Sequence, residues 1–293
     1  MQQAFPEVRN GDCARLLQWA QGVCTQSWPD PAFSDLQPHA RCYSAGEKVD
    51  FTTAANLAAA FMTSSQPSYQ DVSQHGEATV LAKLAAELAL ERFIIDVGAN
   101  DGVTMSNSLR FVEDDWRAIL IEPAPAVFAK LVANHGHRHN VTCLEVACAD
   151  KSGISDLYFG SDGKEGFMST LCTADNEWFR ANRTSESVKV RTETLTDILR
   201  AQQAPSQPGI LLVDCEGMDY ETLLGLDFSC YRPTVVVTEE YEWEPDKLAS
   251  KYSLLVRNGY SLSQKVGCNT IWVDRGARRN EASESSLASK TEL

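Results

Sequence analysis

The chain has 293 residues, 43% of them hydrophobic, and a formal net charge of −14. The apolar content suffices for a full core in one large domain or two small ones, and the excess of acids repels a phosphate backbone, which excludes nucleic acid as an expected partner. No apolar run reaches the ~18–20 residues that span a bilayer, and the first residues carry neither a basic start nor a long apolar stretch, so a soluble, cytoplasmic protein is expected.

Residues 1–70 read as a polar, Ala-rich extension. Helices are expected from Asp12 through Trp19 and around Thr53 to Met62, with a proline-bearing loop from Trp28 to His39 between them. Ser73-Gln74-His75-Gly76-Glu77 then leads into a helix over 78–90, whose Leu81, Leu84 and Leu88 fall on or near one face. From Phe93 onward strands and helices alternate. Strands are expected at 93–97, 117–122, 141–148, 209–214 and 234–239, and helices at 103–113, 124–134, 194–202 and 219–226. That rhythm is α/β, a doubly wound and mostly parallel sheet. An insertion at 150–193 holds short strands at Leu157–Phe159 and Val188–Val190. A pair of strands, starting at Gly259 and Asn269, closes the domain at Asp274. The remaining residues, 275–293, have almost no apolar content and are expected to be a disordered tail. The plan is therefore an extension (1–70), an α/β domain (71–274) and a tail (275–293).

The most informative segment is Phe93-Ile94-Ile95-Asp96 running into Gly98-Ala99-Asn100-Asp101-Gly102. A buried strand breaking into a Gly-rich turn that opens a helix is where a parallel sheet binds a nucleotide-like ligand. Asp96 stands at the carboxyl end of the strand, where an acid meets a cationic amino-acid moiety; a dinucleotide site usually keeps that position apolar. Glu122 ends the next strand, 24 residues after Gly98, the distance at which an acid bonds ribose hydroxyls in βαβ nucleotide sites. Together the two acids point to S-adenosyl-L-methionine (SAM) rather than NAD. Asp96, Gly98, Asn100, Gly102, Glu122 and Ala147 form the expected cofactor set.

Further acids gather at the same edge. The fourth strand runs into Asp214-Cys215-Glu216-Gly217, and the fifth ends at Glu239-Glu240. In extended chain Asp214 and Glu216 point the same way. Methyl transfer from a sulfonium to oxygen requires the acceptor hydroxyl to lose a proton, which a carboxylate takes. Asp214 and Glu216 are the catalytic candidates; the same pair could instead hold a divalent cation, but no His or Cys ligand accompanies them and no metal site is assigned. Glu239 and Glu240 read as solvated loop acids, and Asp214 could alternatively cap the following helix or pair with a buried cation. His135, His137 and His139 alternate as metal ligands do, but they lie at the amino end of the third strand and read as a solvated loop. Trp178 and Phe179 could line an acceptor pocket or pack in the core. The nine cysteines show no metal-ligand spacing and read as free thiols in a reducing compartment.

The segments FIIDVGANDGVTMSNSLRFVEDDWRAILIEPAPAVFAKL and LLVDCEGMDYETLLGLDFSCYRPTVVVTEE, with the upstream SQHGE, resemble the FkbM family of SAM-dependent methyltransferases. Met168-Ser169-Thr170-Leu171 is similar to that family's serine–threonine element. The resemblance runs from about residue 70 to 274. It implies a Rossmann-like seven-stranded fold and O-methylation of a small-molecule hydroxyl, on a sugar or a polyketide-type natural product. By that analogy Asp96, Gly98, Asn100 and Gly102 surround the methionine and ribose ends of SAM, and Glu122 holds the ribose. Two positions depart from the pattern: Ala78 follows Glu77 where an acid is common, and Cys215 replaces an aliphatic residue. The alternatives are a non-catalytic FkbM-like domain that binds a protein partner, and a nicotinamide-dependent oxidoreductase.

Overall fold

The computed structural model describes residues 71–164, 167–172, 183–240 and 245–277. The chain divides into two units, Met1–Gln70 and Asp71–Leu293. The expectations for residues 1–70, for Trp178 and Phe179, and for the tail beyond residue 277 lie outside the described residues.

The strands are β1 (Phe93–Val97), β2 (Arg117–Ile121), β3 (Val141–Leu144), β4 (Ala147–Cys148), β5 (Gly153–Gly160), β6 (Arg183–Glu193), β7 (Ile210–Val213), β8 (Val235–Glu239), β9 (Tyr260–Val266) and β10 (Asn269–Asp274). The helices are α1 (Glu77–Glu87), α2 (Leu109–Glu113), α3 (Pro125–His135), α4 (Leu195–Ala201), α5 (Asp219–Leu224) and α6 (Pro245–Arg257). Seven strands form one sheet in the order β3-β2-β1-β7-β8-β10-β9. The first five run parallel, and β10 lies antiparallel to both β8 and β9. This is the doubly wound, mostly parallel, seven-stranded sheet expected from the sequence.

Continuous apolar strands dictate this arrangement, because a parallel sheet is covered on both faces. Alternate residues of each strand supply two cores. Ile95, Ile121, Leu211 and Val236 pack on one face with Leu195, Leu199 and Leu255 from α4 and α6. Ile94, Leu120, Leu212 and Val237 pack on the other with Leu81, Phe111 and Leu131. Each fully buried side chain of this kind contributes roughly 1.5–3 kcal/mol. The chain leaves β1 in one direction toward β2 and β3, and returns on its other side as β7 and β8. The switch point therefore falls between β1 and β7, and the crevice beyond their carboxyl ends is where such sheets bind ligands.

Several elements differ from expectation. Residues 103–108 are turns rather than helix, because the Asp101 carboxylate captures the N–H groups of Val103 and Thr104 at 2.9 and 2.7 Å and Ser106 Oγ takes that of Leu109 at 3.1 Å. The expected strand 141–148 breaks at Glu145-Val146; β3 stays in the large sheet and β4 joins β6 and β5 in a separate three-stranded sheet. The hairpin strands β5 and β6 are longer than the short segments anticipated. Helix α6 was not anticipated at all. Its inward stripe, Leu248-Lys251-Tyr252-Leu255, has helical spacing, but a lysine at its centre hides the pattern. No helix among the described residues is long and apolar enough to cross a membrane.

Candidate active site

The Gly-rich turn is shaped by contacts that leave no room for side chains. Gly98 has φ +85°, and a Cβ there would lie 1.8 Å from the Asp214 carbonyl oxygen. The ends of β1 and β7 thus touch backbone to backbone, and the Asp214 N–H donates to the Val97 carbonyl at 3.0 Å. Gly102 has φ +72°, and a Cβ there would meet the His135 ring at 2.6 Å. His135 is accordingly not a solvated loop residue. It is the buried last residue of α3, with burial lowering its pKa, and its Nε2 lies 2.9 Å from the Gly102 carbonyl oxygen. Gly102 supports the turn from behind rather than lining the cleft. His139 instead reaches Asp115 at 3.6 Å on the exposed surface.

Glu122 holds the same turn from the β2 side. Its Oε2 accepts the Asn100 N–H at 3.1 Å, and its Oε1 accepts the Ala124 N–H at 2.8 Å. Those bonds keep Asn100 in its left-handed conformation, φ +50°. Burial pushes the Glu122 carboxyl up to about 7 against the pull of the two N–H donors, with Asp96 adding repulsion. Asp96 is buried at the end of β1 and accepts the Ser108 hydroxyl. Its pKa rises to about 6 because burial outweighs that hydrogen bond.

Asp214 and Glu216 line the same cleft as Asp96, Gly98, Asn100, Glu122 and Ala147. The cleft holds about 1210 Å³, counting its solvent-filled mouth. The strand alternation expected to align Asp214 and Glu216 does not apply, because β7 ends at Val213 and Glu216 turns at φ +49°. Burial and the Asp96 charge raise Asp214 to about 6, and burial with the Asp214 and Asp219 charges raises Glu216 to about 8. Glu239 is pushed higher still, to about 10, by burial and by the Asp214, Glu216 and Asp219 charges. Glu240 turns away to an ion pair with Lys265 and a 3.4 Å contact with the Tyr252 hydroxyl. Ala147 comes from β4 and is buried at the cleft wall.

Four further residues shape the site, and of these only Thr170, in the serine–threonine element, carries a sequence signal that singles it out. Asp219, the first residue of α5, accepts the Cys215 N–H at 2.9 Å and the Glu239 N–H at 3.0 Å. Lys251 reaches Asp219 Oδ2 at 3.5 Å, so the buried cation pairs with Asp219 and not with Asp214. Thr170, from the segment that follows the β5 end, donates to the Glu216 carbonyl at 2.7 Å. Asn269 lines the cleft from β10, and its Nδ2 donates at 2.8 Å to Glu77 of the SQHGE segment, whose other oxygen accepts the His75 N–H at 2.8 Å. Gln74 of that segment also reaches the cleft, where its Oε1 accepts the Cys268 thiol at 3.3 Å. Among the described residues, no group of three or more His, Cys, Asp or Glu is placed to hold a metal ion.

The strand order, the glycine turn at the switch point and the acids at successive strand ends define a class I, Rossmann-like methyltransferase fold. Residues 96–284 match the profile described as "Methyltransferase FkbM domain", and the chain belongs to that family. Solved structures with similar folds include the methyltransferase FkbM from Methylobacillus flagellatus KT (14% identity, 89% of this chain and 77% of that one, TM-score 0.39). They also include an O-methyltransferase from Bacillus cereus solved with SAH (12% identity, 83% and 98%, TM-score 0.40). A putative RNA methyltransferase from Pyrococcus horikoshii is similar as well (14% identity, 76% and 96%, TM-score 0.35). At these scores the likenesses say nothing of the acceptor. No curated protein matches the sequence.

Proposed function

We propose that the protein is a SAM-dependent methyltransferase that transfers the methyl group to a hydroxyl of a small molecule of the sugar or natural-product type. One observation carries the reading. Among the described residues, four carboxylates line the cleft, Asp96, Glu122, Asp214 and Glu216, and no Lys, Arg or His does. Such a wall suits a ligand that brings its own positive charges and disfavours one with a pyrophosphate. The cofactor fits the residues present: the Gly98 turn lines the cleft together with two acids, of which Asp96 suits an ammonium and Glu122 suits ribose hydroxyls. When bound, SAM supplies an electrophilic methyl on a sulfonium.

The chain's own residues do the rest. Asp214 or Glu216 takes the proton of the acceptor hydroxyl, and carboxyls raised toward neutrality are suited to that exchange, worth about 10²–10⁴-fold in rate. Thr170 fixes the loop on which Glu216 stands. The hydroxyl specificity rests on these acids, and the sugar or natural-product class on the sequence resemblance. Calorimetric titration with SAM, S-adenosylhomocysteine (SAH) and NAD tests the reading. SAM and SAH are expected to bind and NAD not; preference for NAD overturns it.

A further inference from the structure

Helix α6 carries a lysine at the centre of its buried stripe, and Lys251 is the one Lys or Arg wholly removed from solvent among the described residues. Its ammonium lies 3.5 Å from Asp219 Oδ2 and donates to the Glu239 backbone carbonyl. Asp219 in turn grips the N–H of Cys215, between Asp214 and Glu216, and the N–H of Glu239. One cation therefore ties three elements together: the loop after β7, the end of β8 and the start of α5. A buried ion pair is a poor device for stability alone, since an apolar pair of like volume often serves as well or better. Its location, directly behind the acids of the cleft, suggests a different use.

We infer that Lys251 is a positioning residue which, through Asp219, sets the negative charge that Asp214 and its neighbours present to a sulfonium in the cleft. The inference rests on the SAM reading above. The groups that face this cluster are overwhelmingly acidic: Asp96 from β1, Asp214 and Glu216 after β7, Asp219 from α5, Glu239 from β8, Glu77 from α1 and Asp162 after β5. The neighbouring lysines are already committed elsewhere, Lys247 to Glu221 at 2.7 Å and Lys265 to Glu240. Among the described residues, Lys251 is the lysine whose charge favours ionisation of Asp214, Asp219 and Glu239 against burial and their acidic neighbours. Without it, Asp214 holds its proton to higher pH, and the cleft loses part of its preference for a positive sulfur over a neutral one.

SAM and SAH differ by that methyl and its charge, so the ratio of their dissociation constants reads the charge of the acids without any acceptor present. The experiment is calorimetric titration of the full chain with each ligand from pH 5.0 to 7.5. In the unsubstituted protein, preference for SAM over SAH should grow as pH rises through about 6, where Asp214 ionises together with Asp96 and Asp219. Lys251→Met should move the midpoint of that rise upward by about one pH unit, making the preference at the original midpoint roughly 3–10-fold smaller. Lys251→Arg, which keeps the charge, should restore the original midpoint. A folded Lys251→Met protein whose profile superimposes on the original overturns the inference. So does a SAM-to-SAH preference in the unsubstituted protein that does not change with pH, a result that needs no variant to fold. Failure of the unsubstituted protein to bind either ligand at any pH would instead remove the SAM reading itself.

Discussion

Replacement of Glu122 separates two jobs that one carboxylate performs. Glu122→Ala removes two hydrogen bonds to backbone N–H groups, at 3.1 Å to Asn100 and 2.8 Å to Ala124. A hydrogen bond to a charged group contributes about 1.5–3 kcal/mol. Ala124 is fully buried, so its N–H is left without any partner, whereas half-buried Asn100 can turn to water. Against this loss stands the relief of no longer burying a carboxyl whose pKa is pushed up to about 7. The expected net destabilisation is about 2–4 kcal/mol, which lowers the melting temperature by roughly 4–16 °C for a chain of this size. Cofactor binding should weaken by a further ~1–3 kcal/mol from the lost ribose contacts, or roughly 5–150-fold in Kd. Glu122→Gln keeps one acceptor oxygen and should fall between. Denaturant unfolding and SAH calorimetry on the same samples check both parts. A folded Glu122→Ala protein with undiminished SAH affinity refutes the ribose role; an unchanged unfolding midpoint refutes the claim that this side chain holds the turn.

Gly98→Ala should cost about 2–5 kcal/mol, combining strain at positive φ with forced separation of β1 from β7, and should abolish measurable SAH binding; a normal urea midpoint would contradict the packing described. Asp214→Asn should lower methyl transfer about 100-fold or more while SAH still binds; if both it and Glu216→Gln keep full turnover on the true acceptor, another base operates. Stability should also depend on pH in an unusual direction. Asp96, Glu122, Asp214 and Glu216 have folded pKa values of about 6, 7, 6 and 8, above the usual carboxylate range. The folded state therefore holds protons that the unfolded chain releases above about pH 4, so stability declines as pH rises from about 4 to 8. Below pH 4 the opposite group takes over: at Asp274 the Arg232 hydrogen bonds outweigh burial and depress the pKa, and that contribution is lost as the carboxyl protonates. Thermal melts of the ligand-free protein should thus peak in mild acid and fall toward pH 8; a maximum at pH 8 would contradict the burial of these acids.

The sheet was legible because its strands announce themselves twice, by apolar runs and by the turn chemistry that ends them; β1 follows its expected bounds residue for residue. Legibility failed where side chains compete with the backbone. Asp101 and Ser106 unwind what reads as the start of a helix, and Lys251 conceals α6 by occupying a core position with a charge. That Asp96, Glu122, Asp214 and Glu216 would gather at one cleft could be anticipated because strand ends are defined by short-range pattern. Asp219 and Asn269 could not, since their partners, Glu239 and Lys251 for one and Glu77 for the other, are remote in sequence. Nothing local distinguishes a carboxylate that grips two loops from one that faces water.

The bond from Thr170 to the Glu216 carbonyl has a consequence for how such an enzyme can diversify. The hairpin insertion anchors to the acidic loop through a main-chain oxygen, which every residue type possesses. The neighbouring Phe167, Ser169 and Leu171 meanwhile present their side chains along the cleft. On the proposed function, substitutions among those three would reshape the acceptor side of the cleft while the anchoring bond, and the acid beyond it, stay where they are. On that reading, chemistry and substrate choice would follow separate hereditary tracks within a single pocket.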